Sequence, residues 1–268
     1  MNTVIEDQKN AIRQTRLDTF QAASLCSPLQ RADFKETTDT SLYAWGVEFA
    51  IGNGILEKNG DRIPTEKEID QTIAYFSAKK LPFIWWSSAK VLETKGFQFA
   101  GVLSGIALDI SEGLPKESAK PSNLKIEIVQ SKSGLEIFNE LVVNAFGMSP
   151  TIKEQMLAIN EAVMKEGKQI HLLAYLNGEA VGAATLSIST STAGIWNLTT
   201  LPEHRKQGIG SALVLAALKE AKKRDKKQII AILMPKGMAF GVFTGLGFNS
   251  VCEFPFYAYG ASTDEIDK

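Results

Sequence analysis

The chain has 268 residues, which corresponds to roughly two domains at about 150 residues each and directs attention to an internal repeat. Apolar residues at 44% and charged residues at 22% exclude a disordered, collagen-like or disulfide-scaffold chain. The 29 basic and 30 acidic side chains leave a net charge of -1, which excludes a global pull towards nucleic acid or an anionic membrane.

The opening residues, with Glu6, Asp7, Lys9, Arg13 and Arg16 spread through them, hold no apolar run suited to a signal peptide and read as one helix to about residue 25. No later stretch reaches the roughly 18 apolar residues of a membrane span, so the expected compartment is the cytoplasm, with no membrane partner. Residues 42–51 read as a strand, Gly52-Asn53-Gly54 as a turn, 66–78 as a helix and 82–86 as a strand. Alternation along that last strand sends Trp85 and Trp86 to opposite faces, so at most one can line a space between halves.

Residues 112–123, with Gly113, Pro115, Ser118, Pro121 and Ser122, have fixed φ at the prolines and little to bury. They read as a linker between a first domain, 1–111, and a second, 124–268. In the second domain a strand over 124–129 precedes helices over 135–145 and 152–165. Strands over 170–175 and 180–187 are joined by the hairpin turn Asn177-Gly178, and a third covers 194–201. A helix over 210–224, a buried strand over 229–233, a helix over 238–246 and a terminal strand complete it. The order β-α-α-β-β-β-α-β-α-β is an α/β class with a mixed sheet.

Two passages repeat. Gly96-Phe97 and Gly247-Phe248 lie 151 positions apart, and the same offset carries Ser104 onto Pro255 without a gap. Each half is expected to end in helix, Gly-Phe turn and final strand, the glycine closing the helix. The first half looks like a shortened version of the later part of the second.

Chemistry concentrates in the string from Trp196 to Leu213, where a strand enters a basic loop, His204-Arg205-Lys206-Gln207-Gly208-Ile209-Gly210, that opens a helix. Gly208 and Gly210 let backbone amides approach a ligand, the first helical turn has N–H groups without acceptors, and the helix dipole favours an anion such as diphosphate. A Walker loop lacks its Gly-Lys-Ser/Thr ending here, and a dinucleotide fingerprint lacks its spacing. The other reading of the glycines is a tight turn into a helix N-terminus and no more.

In its setting, after a hairpin and before strand, helix and Gly247-Phe248, this string resembles the GNAT superfamily of acyl-CoA-dependent N-acyltransferases. The resemblance implies tandem GNAT-like domains, each a mixed, mostly antiparallel sheet flanked by helices, with a splayed central strand in the second. It implies that Arg205, Gly208 and Gly210, with the amides of Lys206, Gln207, Ile209 and Ser211, hold the diphosphate of coenzyme A. Leu198, Thr199 and Thr200 would meet the thioester arm. Trp45-Gly46-Val47, Asn53-Gly54-Ile55 and Gly105 to Asp109 look like the degenerate N-terminal domain of two-domain members, and no R-x-x-G-x-G string precedes the linker.

The implied function is N-acetyl transfer from acetyl-CoA to a primary amine, on a small molecule or a protein or peptide, by direct attack in a ternary complex. The alternative is a protein that binds or senses an acyl-CoA without turnover. The tyrosine that family members often use to protonate the thiolate corresponds here to Phe243, a departure that leaves the catalytic residues unassigned. Tyr257 and Tyr259 are fallback acids, though strand aromatics more often form core or pocket wall. Glu203 and Glu253 are possible bases acting through water. His204 sits beside the phosphate loop and His171 alternates with apolar residues as a strand position would.

Lys222 to Lys227 are mainly basic and offset a helix dipole on a solvated surface, without the aromatics of a nucleic-acid site. Cys26 and Cys252 have no metal or redox spacing and read as small buried hydrophobes, so no metal is expected. The chain is expected to be a monomer or a homodimer, the latter through its first half.

Overall fold

The computed structural model describes all residues except 1, 61, 118, 234–236 and 262–268, so Ser118 of the expected linker lies outside it. Its first half comprises helix α1 (Asn2–Cys26), strands β1 (Asp33–Glu36), β2 (Thr40–Ala44) and β3 (Asn53–Glu57), helix α2 (Glu66–Lys79), and strands β4 (Phe83–Trp86) and β5 (Gln98–Asp109). After a segment without helix or strand come β6 (Leu124–Ile128), α3 (Lys132–Ala145), α4 (Pro150–Lys165), β7 (Gln169–Leu176), β8 (Glu179–Ile188) and β9 (Thr192–Thr200). The chain continues through α5 (Ile209–Lys222), β10 (Gln228–Leu233), α6 (Met238–Gly245) and β11 (Asn249–Tyr259). Among the described residues no helix is long and apolar enough to cross a membrane.

All eleven strands form one sheet in the order β1-β2-β3-β4-β11-β5-β10-β9-β8-β7-β6. Only β3 with β4 and β9 with β10 run parallel. The last strands of the two halves have changed places: β5 lies between β10 and β11, and β11 joins β4. Each half therefore closes its sheet with the other's strand.

The register of β5 on β11 carries the repeat to single-residue resolution. Leu103 pairs with Phe254, its equivalent 151 positions on, so a local two-fold axis passes through that pair. Ala107 opposite Asn249 is mirrored by Gln98 opposite Ala258, and Ile106 opposite Ser250 by Phe99 opposite Tyr257. The register slips once on each strand, at Val251 and at Ala100, which are again equivalents. A bulge retained on both strands preserves the pairing, since an uncompensated one-residue slip would turn every later side chain to the wrong face. Gly96 and Gly247 both adopt left-handed φ, 88° and 91°, and stop the helical turns before these strands.

Side-chain alternation assigns the two faces. Helices α5 and α6 cover Leu172, Ile195, Ile229 and Phe248 on one face, and α2 covers Trp85, Phe83 and Tyr257. Helix α1 lies on the other face and spans both halves. Its Ile12 and Phe20 enter a core with Tyr43, Trp86, Ile230 and Phe254. Phe20 is ringed by Tyr43 at 4.6 Å, Trp196 at 6.0 Å and Trp86 at 6.1 Å, between centroids. Burying one such side chain stabilises the fold by about 1.5–3 kcal/mol. Hydroxyls add register: Thr15 meets Thr192, and Thr19 donates to Ser187 Oγ at 2.9 Å.

Several expectations for the first half need correction. The strand read over 42–51 ends at Ala44, because Gly46 at φ 86° turns the chain away. Gly52-Asn53-Gly54 is no turn: Asn53 and Gly54 open the buried strand β3. The Asn53 amide donates to the carbonyls of Val47, Phe49 and Pro82. A Cβ on Gly54 would stand 2.2 Å from the Ile84 carbonyl oxygen, so β3 and β4 approach each other only over glycine. Cys26 and Cys252 are free and half-buried rather than fully buried, since both belong to the margins of their clusters. Trp85 and Trp86 do point to opposite faces, one bonding Glu57 and the other Tyr43 through the indole N–H.

Because each half lacks its own closing strand, fragments 1–113 and 114–268 expressed separately are expected to show no cooperative thermal transition by circular dichroism. Mixed, they should recover one. A cooperative melt from either fragment alone would show the exchange to be dispensable.

Candidate functional site

The central feature is a gap between two parallel strands. β9 and β10 pair from Thr192 with Gln228 to Gly194 with Ile230 and then diverge. Beyond that point β10 follows β5, with Ile232 opposite Gly105 and Leu233 opposite Ser104, while β9 follows β8 to Thr200. The β10-facing edge of β9 is left without a strand partner.

Main-chain direction along that edge follows from its end. The Leu201 N–H donates to the Val181 carbonyl at 2.9 Å, so Leu201 faces β8 and Thr200 faces the gap. The Thr200 carbonyl accepts from Arg205 Nε at 3.1 Å. By the two-residue period Leu198 also turns its N–H and C=O into the gap. Thr199 sits opposite Ala183 and turns its main chain towards β8.

The loop from 202 to 208 crosses the mouth of this gap. Lys206 and Gly208 have φ of 60° and 81°. A Cβ at Gly208 would stand 2.1 Å from the Ala119 carbonyl oxygen, so both the left-handed backbone and the crossing of residues 119–120 require glycine. Ile209, 1% exposed, anchors the first turn of α5 in the core. The first helical bond runs from the Ala212 N–H to the Gly208 carbonyl at 3.0 Å, which leaves the amides of Ile209, Gly210 and Ser211 projecting from the helix end. Gly210 has space around it: a Cβ there would be 3.5 Å from Val242. Arg205, Lys206 and Gln207 are exposed beside these amides, giving a concentration of positive field at the open end of the gap.

A polar chain absent from the sequence-based expectations leads inward from β9. Asn197 has φ 54° at the point where the β8–β9 register shifts. Its Nδ2 donates to Thr185 Oγ1 at 3.1 Å, and Thr185 Oγ1 lies 3.1 Å from His171 Nδ1. With the Asn197 bond received, the hydroxyl proton is directed to Nδ1. His171 is fully buried, packs on Phe138 at 4.3 Å and is pushed down to a pKa of about 4 by burial. It is a neutral acceptor that fixes the bulge. Asparagine within an alternating strand is the signal that could have marked it, since this side chain is poor in strands and tolerant of left-handed φ.

Other predicted residues are dispersed. Phe243 is 2% exposed and packs edge-on to Phe248 at 5.0 Å, so α6 presents no proton there. Tyr257 is buried, with its hydroxyl on Glu93 at 3.1 Å, and Tyr259 packs on Phe83 and Phe97. The strand exchange carries both beside β4, across β5 and β10 from the gap, and removes them as acids for chemistry there. Glu203 and Glu253 are exposed. The basic run past α5 is solvated, Lys223 and Arg224 both pairing with Glu220. No group of three or more His, Cys, Asp or Glu side chains suited to a metal gathers among the described residues.

Residues 136–248 match the model of the acetyltransferase (GNAT) family. Among solved structures, a GCN5-related N-acetyltransferase from Kribbella flavida aligns at TM-score 0.64 and 13% identity, over 93% of this chain and 96% of that one. A tandem GNAT protein from the clavulanic acid biosynthesis pathway aligns at TM-score 0.59 and 14% identity, over 96% and 95%. A GCN5-related N-acetyltransferase from Sphaerobacter thermophilus aligns at 0.61 and 12%, over 82% and 76%. At such identities the likeness is one of fold. No curated protein matches the chain in sequence. The fold is thus shared with tandem GNAT proteins, and the match to the GNAT family lies in the second half, over residues 136–248.

Two outcomes test the polar chain. The unfolded chain takes up a proton on histidine near pH 6.5, whereas folded His171 does so only near 4. Its contribution is therefore intact above 6.5 and lost as pH falls towards 4, by about 3 kcal/mol in all. Denaturant titrations across that window should show this component in the wild type and not in His171→Gln. Asn197→Ala should lose about 1 kcal/mol, and Asn197→Gly, which keeps the left-handed backbone, less.

Proposed function

We propose that the chain transfers an acetyl group from acetyl-CoA to a primary amine by direct attack within a ternary complex. The single observation that carries this reading is the Arg205 to Gly210 loop, which opens α5 at the mouth of the gap, beside the unpaired edge of β9, with the amides of Ile209, Gly210 and Ser211 ahead of the first helical bond. A family acetyltransferase domain over 136–248 supports it. In this reading the amides of Lys206 to Ser211, with Arg205, receive the diphosphate; Gly210 allows its close approach, and Gly208 supplies the left-handed turn that aims the amides. The Leu198 and Thr200 main chains hold the pantetheine arm as an added strand would be held. Thr199 supports that edge from the β8 side.

The amine must arrive unprotonated, its lone pair attacking the thioester carbon. Main-chain N–H groups of the unpaired edge oppose the charge that develops on the carbonyl oxygen. The carbon–sulfur bond then breaks, the thiolate leaves, and the amine proton passes to water. A thiol of pKa about 8.5 departs without a protein acid, consistent with phenylalanine at 243.

That same phenylalanine motivates a second reading, an acyl-CoA-binding or sensing protein without turnover. Thiol release with any amine from a broad panel removes it, whereas acetyl-CoA binding without release removes catalysis.

Calorimetry tests the cofactor site directly. Gly208→Trp should abolish acetyl-CoA binding, although it also displaces residues 119–120. Gly210→Asp is the sharper variant: a carboxylate in the first helical turn favours the helix while repelling phosphate. Its melting temperature should hold and its affinity fall by at least about ten-fold. Unchanged affinity in both variants would overturn the assignment.

A further inference from the structure

Arg16 is the one guanidinium in the interior of the sheet's α1 face, at 3% exposure. Its Cζ lies 4.1 Å from the centroid of Phe254 and 4.8 Å from that of Trp86, one ring on each strand flanking the exchange. Nε and Nη1 reach no acceptor, and no carboxylate among the described residues pairs with it. Burial lowers its pKa to about 10, which still leaves it charged at neutral pH. A buried cation without a counter-ion costs several kcal/mol, and ring faces offset only part of that.

The surroundings add charge of the same sign. Lys9 and Arg13 lie two turns and one turn earlier on the same helix face, 33% and 36% exposed, and both reach the single carboxylate of Glu6, at 3.4 and 3.8 Å. The Phe254 ring over it lies level with the diverging part of β10. A Cβ on Gly105 would touch both the Phe254 ring at 2.8 Å and Ile12 at 3.2 Å. Gly105 pairs with Ile232, on the diverging part of β10. Two strand spacings, about 10 Å, separate the strand of Phe254 from the strand lining the gap.

We propose that Arg16 receives the carboxylate of the acyl acceptor, so that the substrate class is a small amine whose carboxylate stands several bonds from the nitrogen, an ω-amino acid or the side-chain amine of a free amino acid. The aromatic rings cover the faces of the guanidinium, so partners approach in its plane, the geometry in which a planar carboxylate accepts two N–H bonds. Lys9 and Arg13 draw the anion in from solvent. The substrate class rests on the acetyl-transfer reading; the anion site does not.

The test uses the full chain with the twenty amino acids, β-alanine, γ-aminobutyrate and 6-aminohexanoate, each beside its amide. Thermal shift should show stabilisation by at least one acid and not by its amide. With acetyl-CoA, thiol release should favour that acid over its amide by about ten-fold or more in kcat/KM. Arg16→Met should melt no lower than the wild type, because it removes an unpaired buried charge, and should abolish both preferences. Arg16→Lys, which keeps charge without the fork, should retain only part of them. Equal response to acids and amides, no response to any acid, or a destabilised Arg16→Met with preferences intact would overturn the proposal. Acid-specific stabilisation without thiol release would retain the anion site and remove acetyl transfer, whereas release from acids and amides alike would do the reverse.

Discussion

The pairing of β5 with β11 is the constraint on which the remaining architecture rests. It joins two half-sheets into one, and its axis through Leu103 and Phe254 makes the halves equivalent in direction while opposite in position. Parallel pairs β3–β4 and β9–β10 therefore run towards the centre from opposite ends. Only one of these pairs opens. In the first half, glycine at 54 lets the two strands close tightly, whereas in the second the Asn197 bulge and the course of β10 along β5 draw them apart. Duplication supplied two copies of one scaffold, and local backbone chemistry decided which acquired a cleft.

Helix α1 converts this pseudo-symmetry into an asymmetric molecule. It belongs to the first half by sequence, yet its hydroxyls bond β8 and β9 and its aromatic residue reaches Trp196 on the diverging strand. The α1 face of the diverging strands is thus covered by the first half, and its exchanged strand β5 holds the far end of β10 away from β9.

Much of the second half was legible in the sequence. Asn177-Gly178, the glycines of the loop and the helical spacing read over 210–224, which the structure places at Ile209–Lys222, are local signals, and each fixes a local element. The 151-residue offset related two strands that the structure pairs with each other. The exchange was not legible, since swapping two related strands alters no local pattern. Short polar β1 and the turn at Gly46 were missed for the same reason: their conformations follow from neighbours distant in sequence. Arg16 was visible only as one of several charges scattered through the first helix. Its importance comes from burial, which charge alternation along α1 does not announce. Likewise Asn197, Thr185 and His171 are ordinary strand residues until the sheet aligns them.

The position of β11 has a consequence for the order in which the molecule can form. It follows every other described strand in the chain, yet it occupies the middle of the sheet, with β4 on one side and β5 on the other. Until it arrives, both neighbours present unpaired edges, the kind of surface that recruits strands from other chains. The chain must therefore be made as far as Tyr259 before the first half can close, and the closing contacts are long-range, from Phe256 with Trp86 to Tyr259 with Phe83. Such long-range pairing is slow to nucleate. The two-fold exchange that binds the halves so thoroughly leaves the nascent chain vulnerable for longest at its own centre.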